Sequence, residues 1–178
     1  MNVSQYDIIA EKYDSLFSDP ESVNENKELS RMLSSLSGTI FEIGCGTGLL
    51  VDLLAISPDR YMGVDPSSRM VSVFLGRHPE FSGHIAIEPF SYSSPIGDYD
   101  NVVSIFGSMS YISSDYLDFI CRSDKRLFLM FYKPGYYPLT YIRSGIEFSH
   151  YSYSRDDLSM YFRDSSISEF GNYFIVSR

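Results

Sequence analysis

Basic residues are scarce in this sequence and nowhere cluster. The 178-residue chain holds 14 Lys and Arg against 23 Asp and Glu, a formal net charge of −9. Binding along a phosphate backbone needs grouped Lys and Arg, so the composition argues against a DNA or RNA substrate. It fits a small molecule, or a basic peptide or protein. The two cysteines, Cys45 and Cys121, form neither a metal nor a redox spacing. With no other ligand set in the sequence, no metal requirement is expected. No apolar run approaches the roughly 18 residues of a membrane span, and neither a signal peptide nor a lipidation motif is recognisable. A cytoplasmic protein without membrane contact is the expectation. Tryptophan is absent, and the aromatic content of 16% comes from 15 Tyr and 13 Phe. That excess fits either an aromatic-lined pocket or ordinary sheet and surface tyrosines. Internal repeats, low-complexity tracts and signs of a second domain are also missing. A chain of this length can bury about two-thirds of its unfolded surface as one domain.

What the chain does have is a glycine turn in a defined setting. The β-prone run Thr39-Ile40-Phe41-Glu42-Ile43 stops at Gly44, Gly46 and Gly48, and the chain resumes with helical apolar spacing at Leu49, Leu50, Val51, Leu53 and Leu54. Strand, tight glycine turn and helix are the opening unit of a nucleotide-binding α/β fold. A dinucleotide fingerprint has its third glycine where this chain has Leu49. Glu42, just before the first glycine, sits badly with a pyrophosphate and suits a ligand bearing a cationic amine, such as the amino-acid end of S-adenosylmethionine (SAM). A second strand, Arg60 to Asp65, ends on an acid 21 positions after Gly44. An acid about 20 residues on is placed to take both hydroxyls of a ribose; the alternative is a plain helix N-cap.

The pattern Glu42-x-Gly44-x-Gly46-x-Gly48 resembles motif I of class I SAM-dependent methyltransferases. The wording from Tyr99 and Asp100 through Phe106-Gly107-Ser108 to Tyr111 resembles motif IV of the members that act on substrates other than nucleic acids. The Asp/Asn-Pro-Pro-Tyr/Phe signature of amino-methylating DNA and RNA enzymes is absent. The resemblance implies that Glu42, Gly44, Cys45, Gly46, Thr47 and Gly48 cradle the cofactor, with Cys45 a small packing residue rather than a nucleophile. It implies that Asp65 binds the adenosyl ribose, that Pro66, early in the following helix, also belongs to the cofactor site, and that Met70 lies near the adenine. Glu88 and Phe90, after a short third strand at 84–88, become candidates for the adenine amino group, although the Gly-Asp pair common in relatives is missing there. Phe106, Gly107 and Ser108 would lie beside the sulfonium. The doubled Tyr-Asp of residues 6–14 resembles an N-terminal lid, with Tyr13 the favoured cofactor contact and Tyr6 the lesser one; the alternative is a helix whose tyrosines merely pack on the domain.

The chain is therefore expected to be a single α/β domain over residues 1–178. Residues 1–37 would form a lid and helix, and residues 38–178 a doubly wound, seven-stranded Rossmann-like core, mostly parallel with a C-terminal antiparallel hairpin. Helices are predicted over 21–37, 48–55 and 114–120 and onward from a cap at Ser154. Strands are predicted at 99–106 and 126–132, with a hairpin over 167–176. The aromatic loop Lys133-Pro134-Gly135-Tyr136-Tyr137-Pro138 is the expected acceptor contact. The function implied is in-line transfer of a methyl group from SAM to an O or N nucleophile of a small molecule or peptide side chain, with S-adenosylhomocysteine (SAH) as product. His150 is the candidate general base and Tyr111 a candidate positioning hydroxyl, with Tyr132 an alternative; a partly exposed strand histidine is the plainer reading of His150. Three rivals stand beside this. A non-catalytic SAM-binding subunit of another protein is encouraged by the small size. An aminopropyltransferase would want acids near Gly107-Ser108, and a nicotinamide dehydrogenase is disfavoured by Leu49. A homodimer or a partner protein stays open.

Overall fold

A computed structural model of the chain describes residues 3–136, 138–143 and 145–178. In chain order the helices and strands are α1 (Val3–Ile9), α2 (Pro20–Leu33), β1 (Ile40–Ile43), α3 (Leu49–Leu54), β2 (Tyr61–Val64), α4 (Ser68–Arg77), β3 (Ile85–Ala86), β4 (Asn101–Ser104), α5 (Ser114–Cys121), β5 (Arg126–Tyr132), β6 (Thr140–Arg143), β7 (Ile146–Ser149), α6 (Arg155–Tyr161), β8 (Ser166–Phe170) and β9 (Tyr173–Ser177). Short 3-10 turns cover Ala10–Lys12 and Asp14–Phe17 between α1 and α2.

Seven strands form one sheet in the order β3-β2-β1-β4-β5-β9-β8. The first five are parallel, and β9 enters antiparallel between β5 and β8. This is the expected doubly wound sheet with its antiparallel ending. The apolar run of β5 explains why the sheet is covered on both sides. Phe128, Met130 and Tyr132 pack into one cluster with Leu29, Leu50 and Phe74. Leu127, Leu129 and Phe131 alternate into a second, with Leu117, Ile120, Leu158 and Phe162. A strand buried on both faces needs no polar alternation. The winding reverses between β1 and β4, so the carboxyl ends of these strands open a crevice there, the usual place for a ligand in such sheets.

Helix starts follow local chemistry. Asp19 accepts from the backbone N–H groups of Glu21 and Ser22 ahead of Pro20 at the first helical turn of α2. Ser154 and Asp157 form a reciprocal capping box at α6.

Several boundaries differ from the sequence expectation. Helix α2 stops at Leu33 rather than running to residue 37. Strand β3 is two residues long, because it is an edge that pairs only with Gly63 and Val64 of β2. Strand β4 spans four residues of the predicted eight, ending where Phe106 turns to a φ of 48°. Helix α4 begins after Pro66, with Ser67 as the cap that accepts from the Met70 N–H. Strands β6 and β7 form a separate two-stranded sheet that the sequence pattern does not announce. No helix among the described residues is long and apolar enough to cross a membrane.

Replacing Ser154 with Ala removes one half of the α6 capping box. Denaturant unfolding should show a stability loss of about 0.5–2 kcal/mol with an unchanged m-value.

Candidate functional site

The turn after β1 is fastened to the end of β2. The N–H groups of Gly44 and Cys45 both donate to the Val64 carbonyl, at 2.8 and 3.2 Å. Gly44 and Gly48 hold φ values of 77° and 93°, a region that disfavours side chains. A Cβ on Gly44 would lie 2.7 Å from the Ser108 side chain, and one on Gly48 would lie 2.9 Å from the Phe74 ring. The turn therefore lies against the start of the β4 loop on one side and against α4 on the other, and only glycine fits either contact.

Ionisable side chains crowd under this turn, Glu42 and Cys45 buried and Asp65 half-buried. Glu42, on β1, is 1% exposed and accepts a short hydrogen bond from the Tyr61 hydroxyl of β2. Burial pushes its carboxyl up to about 8; the Tyr61 hydrogen bond opposes this and the charge of Asp65 adds to it. Asp65, just past β2, accepts from the Gly46 N–H at 3.0 Å through Oδ2 and from the Ser67 N–H at 2.8 Å through Oδ1. Burial pushes it up to about 6 against those two hydrogen bonds, with the Asp7 charge adding to the shift. The Cys45 thiol is pushed well above its ordinary value by burial and by the neighbouring Asp65 and Glu42. It stays protonated, which suits a packing residue and not a nucleophile.

The N-terminal segment covers the crevice and is anchored by two aspartates. Asp7 accepts from the Ser67 hydroxyl at 2.6 Å and from the Arg69 N–H at 3.1 Å. Asp14 accepts from the Thr47 hydroxyl at 2.6 Å and from Arg77 at 2.8 Å, and Arg77 also reaches the Thr47 carbonyl and pairs with Asp52. Tyr6 and Tyr13 consequently point into the crevice. Tyr6 packs edge-on against Tyr111 at 5.9 Å and Phe148 at 5.1 Å. Sequence reasoning favoured Tyr13, yet both rings border the crevice. The anchoring residues Asp7, Asp14, Ser67 and Arg77 were not singled out. Their only signal was the acid that follows each tyrosine of the Tyr-Asp pairs.

Most residues expected at the site meet around one crevice of about 80 Å³. Its wall takes Glu42, Gly44, Cys45, Gly46 and Thr47 from the turn, and Asp65, Pro66 and Met70 from the β2–α4 connection. Phe106, Ser108 and Tyr111 close it from the β4 side, and Tyr13 from above. Gly48 and Gly107 lie one layer behind. Gly107 holds φ 81°, and a Cβ there would fall 2.6 Å from the Tyr132 ring. Glu88 is exposed and Phe90 is turned into the opposite cluster against Phe41, Tyr116 and Phe119, so neither borders the crevice. The two-residue β3 ends at Ala86, too early to carry them to the wall. His150 follows β7, donates from Nδ1 to the Tyr151 carbonyl at 2.7 Å, and stands one ring behind Tyr111 at 6.2 Å and beside Tyr132 at 5.3 Å. It is not on the crevice wall. Tyr136 lines a neighbouring space, and Tyr137 lies outside the described residues.

That neighbouring space is larger, about 460 Å³, and shares Tyr13, Thr47, Leu49 and Phe106 with the crevice. Phe106 therefore stands between the two. A bulky residue at positive φ costs about 1–3 kcal/mol and persists only where its surroundings enforce it. Here the Phe106 N–H is directed at the Met130 sulfur and its ring packs on Tyr173 at 5.7 Å.

No family model matches the sequence, and no curated protein matches it. Solved structures do. The chain is similar to the DhpI–SAH complex, with a TM-score of 0.68 and 16% identity over 98% of this chain and 93% of that one. It is similar to a SAM-dependent methyltransferase from Clostridium acetobutylicum, with a TM-score of 0.61 and 16% identity over 98% and 96% of the two chains. A TehB-like SAM-dependent methyltransferase from Corynebacterium glutamicum gives 0.62 and 16%, over 99% and 97%. The chain has the class I SAM-dependent methyltransferase fold.

The buried Glu42 sets a pH dependence. Its folded-state value is raised, so the folded protein keeps a proton that the unfolded chain loses near its ordinary value of 4.5. Stability is complete below that pH and declines as pH rises to about 8. Thermal unfolding of the ligand-free protein should follow this decline, and Glu42→Gln should remove its upper part, leaving the decline that the raised Asp65 carries up to about pH 6.

Proposed function

We propose that this protein is a SAM-dependent methyltransferase that acts on a small molecule or peptide side chain with an O or N nucleophile. The observation that carries the reading is Glu42, a fully buried carboxyl at the glycine turn with a value raised to about 8. A carboxyl so placed favours a ligand that brings a positive charge to it, because only a cation offsets the burial of its ionised form. The α-ammonium of SAM is such a charge, and the pyrophosphate of a dinucleotide is the opposite. Asp65 supports the same ligand. Two of the roughly four lone-pair positions of a carboxylate are taken by Gly46 and Ser67, which leaves acceptors for the two ribose hydroxyls. Pro66 and Met70 offer an apolar wall for the base.

SAM supplies a methyl group on a sulfonium that is already activated for displacement. The protein then contributes mainly proximity and alignment. Phe106, Ser108 and Tyr111 border the crevice at the carboxyl end of β4, where the acceptor must approach in line. Tyr111 is the residue best placed to orient an acceptor through its hydroxyl. His150, one ring further back, could act only through Tyr111. The adjoining 460 Å³ space gives an acceptor room within this chain, falling inside the usual range of about 300–1,000 Å³ for small-molecule sites. That weakens the motive for a non-catalytic partner subunit, which was the lack of such room.

The crevice itself, at about 80 Å³, is too small for a whole nucleoside while Tyr6 and Tyr13 cover it. Admission of the donor requires the N-terminal segment to lift, so the Asp7 and Asp14 contacts act as latches. Calorimetric titration should give about micromolar affinity for SAM and SAH and none for NAD; failure of both sulfur compounds to bind would remove the reading. Asp65→Ala should weaken SAH binding by about 1–3 kcal/mol. The Asp7→Asn, Asp14→Asn double variant should both bind and release SAH faster in rapid-mixing experiments, with lower affinity.

A further inference from the structure

The space beside the crevice is lined by five carboxylates, from Asp14, Asp19, Glu21, Glu25 and Asp52, and by one cation, Arg77. Arg77 is already shared between Asp14 and Asp52. Among the described residues no ion pair involves Asp19, Glu21 or Glu25. Asp19 is held ionised below its ordinary value by the hydrogen bonds it accepts from Ser22 and Glu21. Glu25 shows the opposite response: burial first, then the charges of Glu21, Asp19 and Glu28, push it up. The mouth of the space is thus a region of uncompensated negative potential.

These acids are not a metal centre. Among the described residues, no group of three His, Cys, Asp or Glu side chains is close enough to hold an ion. Asp19, Glu21 and Glu25 belong to the start of α2, Asp14 to the 3-10 turn before it and Asp52 to α3, and Glu25 faces the β8–β9 turn. There a Cβ on Gly171 would fall 2.9 Å from Glu25 Oε1, so the missing side chain leaves room for the carboxylate. The same space is lined by the rings of Phe17, Phe106, Tyr136 and Tyr173, and Phe106 also borders the crevice. Aromatic faces beside carboxylates are the surroundings that an organic ammonium selects, through cation–π attraction as well as charge. The space also meets the crevice at the strained Phe106, where an acceptor has to lie.

We infer that the acceptor is an amine: a small molecule that enters as an ammonium attracted by Glu21 and Glu25, with its carbon skeleton against the aromatic wall. This rests on the methyl-donor reading of the adjoining crevice. The ammonium first loses a proton to water at the open mouth. The freed lone pair then forms the N–C bond as the S–CH3 bond breaks, its electron pair remaining on the donor sulfur as a thioether. The N-methylammonium product leaves as the cation, the one proton of the net reaction having been lost before attack.

The test begins with calorimetric titration of SAH and continues on the SAH complex with three probes that differ only in the charged end: phenethylamine, 2-phenylethanol and 3-phenylpropanoate. The expected result is that phenethylamine binds at least about tenfold more tightly than the alcohol, with the carboxylate weakest. The Glu21→Gln, Glu25→Gln double variant should abolish that preference and leave SAH affinity unchanged; Glu21 is exposed and Glu25 half-buried, and glutamine keeps the shape of both side chains, so the fold is spared. If SAH binds but the amine does not, or the alcohol or acid matches it, or the double variant keeps the preference, the acceptor assignment is overturned while the donor reading stands. If SAH itself fails to bind, the donor reading falls and takes the acceptor assignment with it.

Discussion

The two backbone hydrogen bonds from Gly44 and Cys45 to the Val64 carbonyl are the constraint on which the rest of the site depends. They lock the turn after β1 to the end of β2, and so bring Glu42 and Asp65, far apart in sequence, under one loop. The Gly46 N–H then points at Asp65, Ser67 can both cap α4 and donate to Asp7, and the N-terminal segment acquires its first anchor. The second anchor, Asp14, reaches Thr47 in the same turn. Cover, floor and wall of the crevice all trace back to one carbonyl oxygen.

The price of this arrangement is a buried carboxyl at Glu42 and a half-buried one at Asp65, neither of them in an ion pair among the described residues. Tyr61 moderates the cost at Glu42 and two N–H groups do so at Asp65, yet both carboxyls stay raised. A site built this way is least comfortable without its ligand. Function and stability therefore pull on the same residues, and the pull changes with pH.

What the sequence made legible was local. The glycine turn, the acid ending β2, the apolar run of β5, the Ser154 cap and the C-terminal hairpin each depend on residues within a few positions of one another, and the structure has all of them. What it hid was tertiary. Nothing near Tyr61 signals that its hydroxyl meets Glu42. Nothing in the sequence around Glu25 signals that the β8–β9 turn lies opposite it. Glu88 and Phe90 rest on the family resemblance and an expected strand at 84–88, and the observed strand, ending at Ala86, leaves them off the wall. His150 suits a general base by its position and the ordinary range of an imidazole, but it follows the β6–β7 hairpin and stands one ring too far back.

The placement of β9 has a consequence for the chain in bulk. It lies inside the sheet, between the long apolar β5 and β8. Were it to peel away, β5 would present a bare hydrophobic edge, the kind of surface that recruits strands from other molecules. The edges that are normally open carry no such risk. One is the two-residue β3, too short to template anything. The other is β8, whose Ser166, Ser168 and Glu169 alternate with only two larger apolar side chains. The seven-stranded sheet thus keeps its stickiest strand in its interior and ends in a stub and a polar ribbon, so the tendency of this sheet to recruit other strands should be governed by how firmly β9 is held.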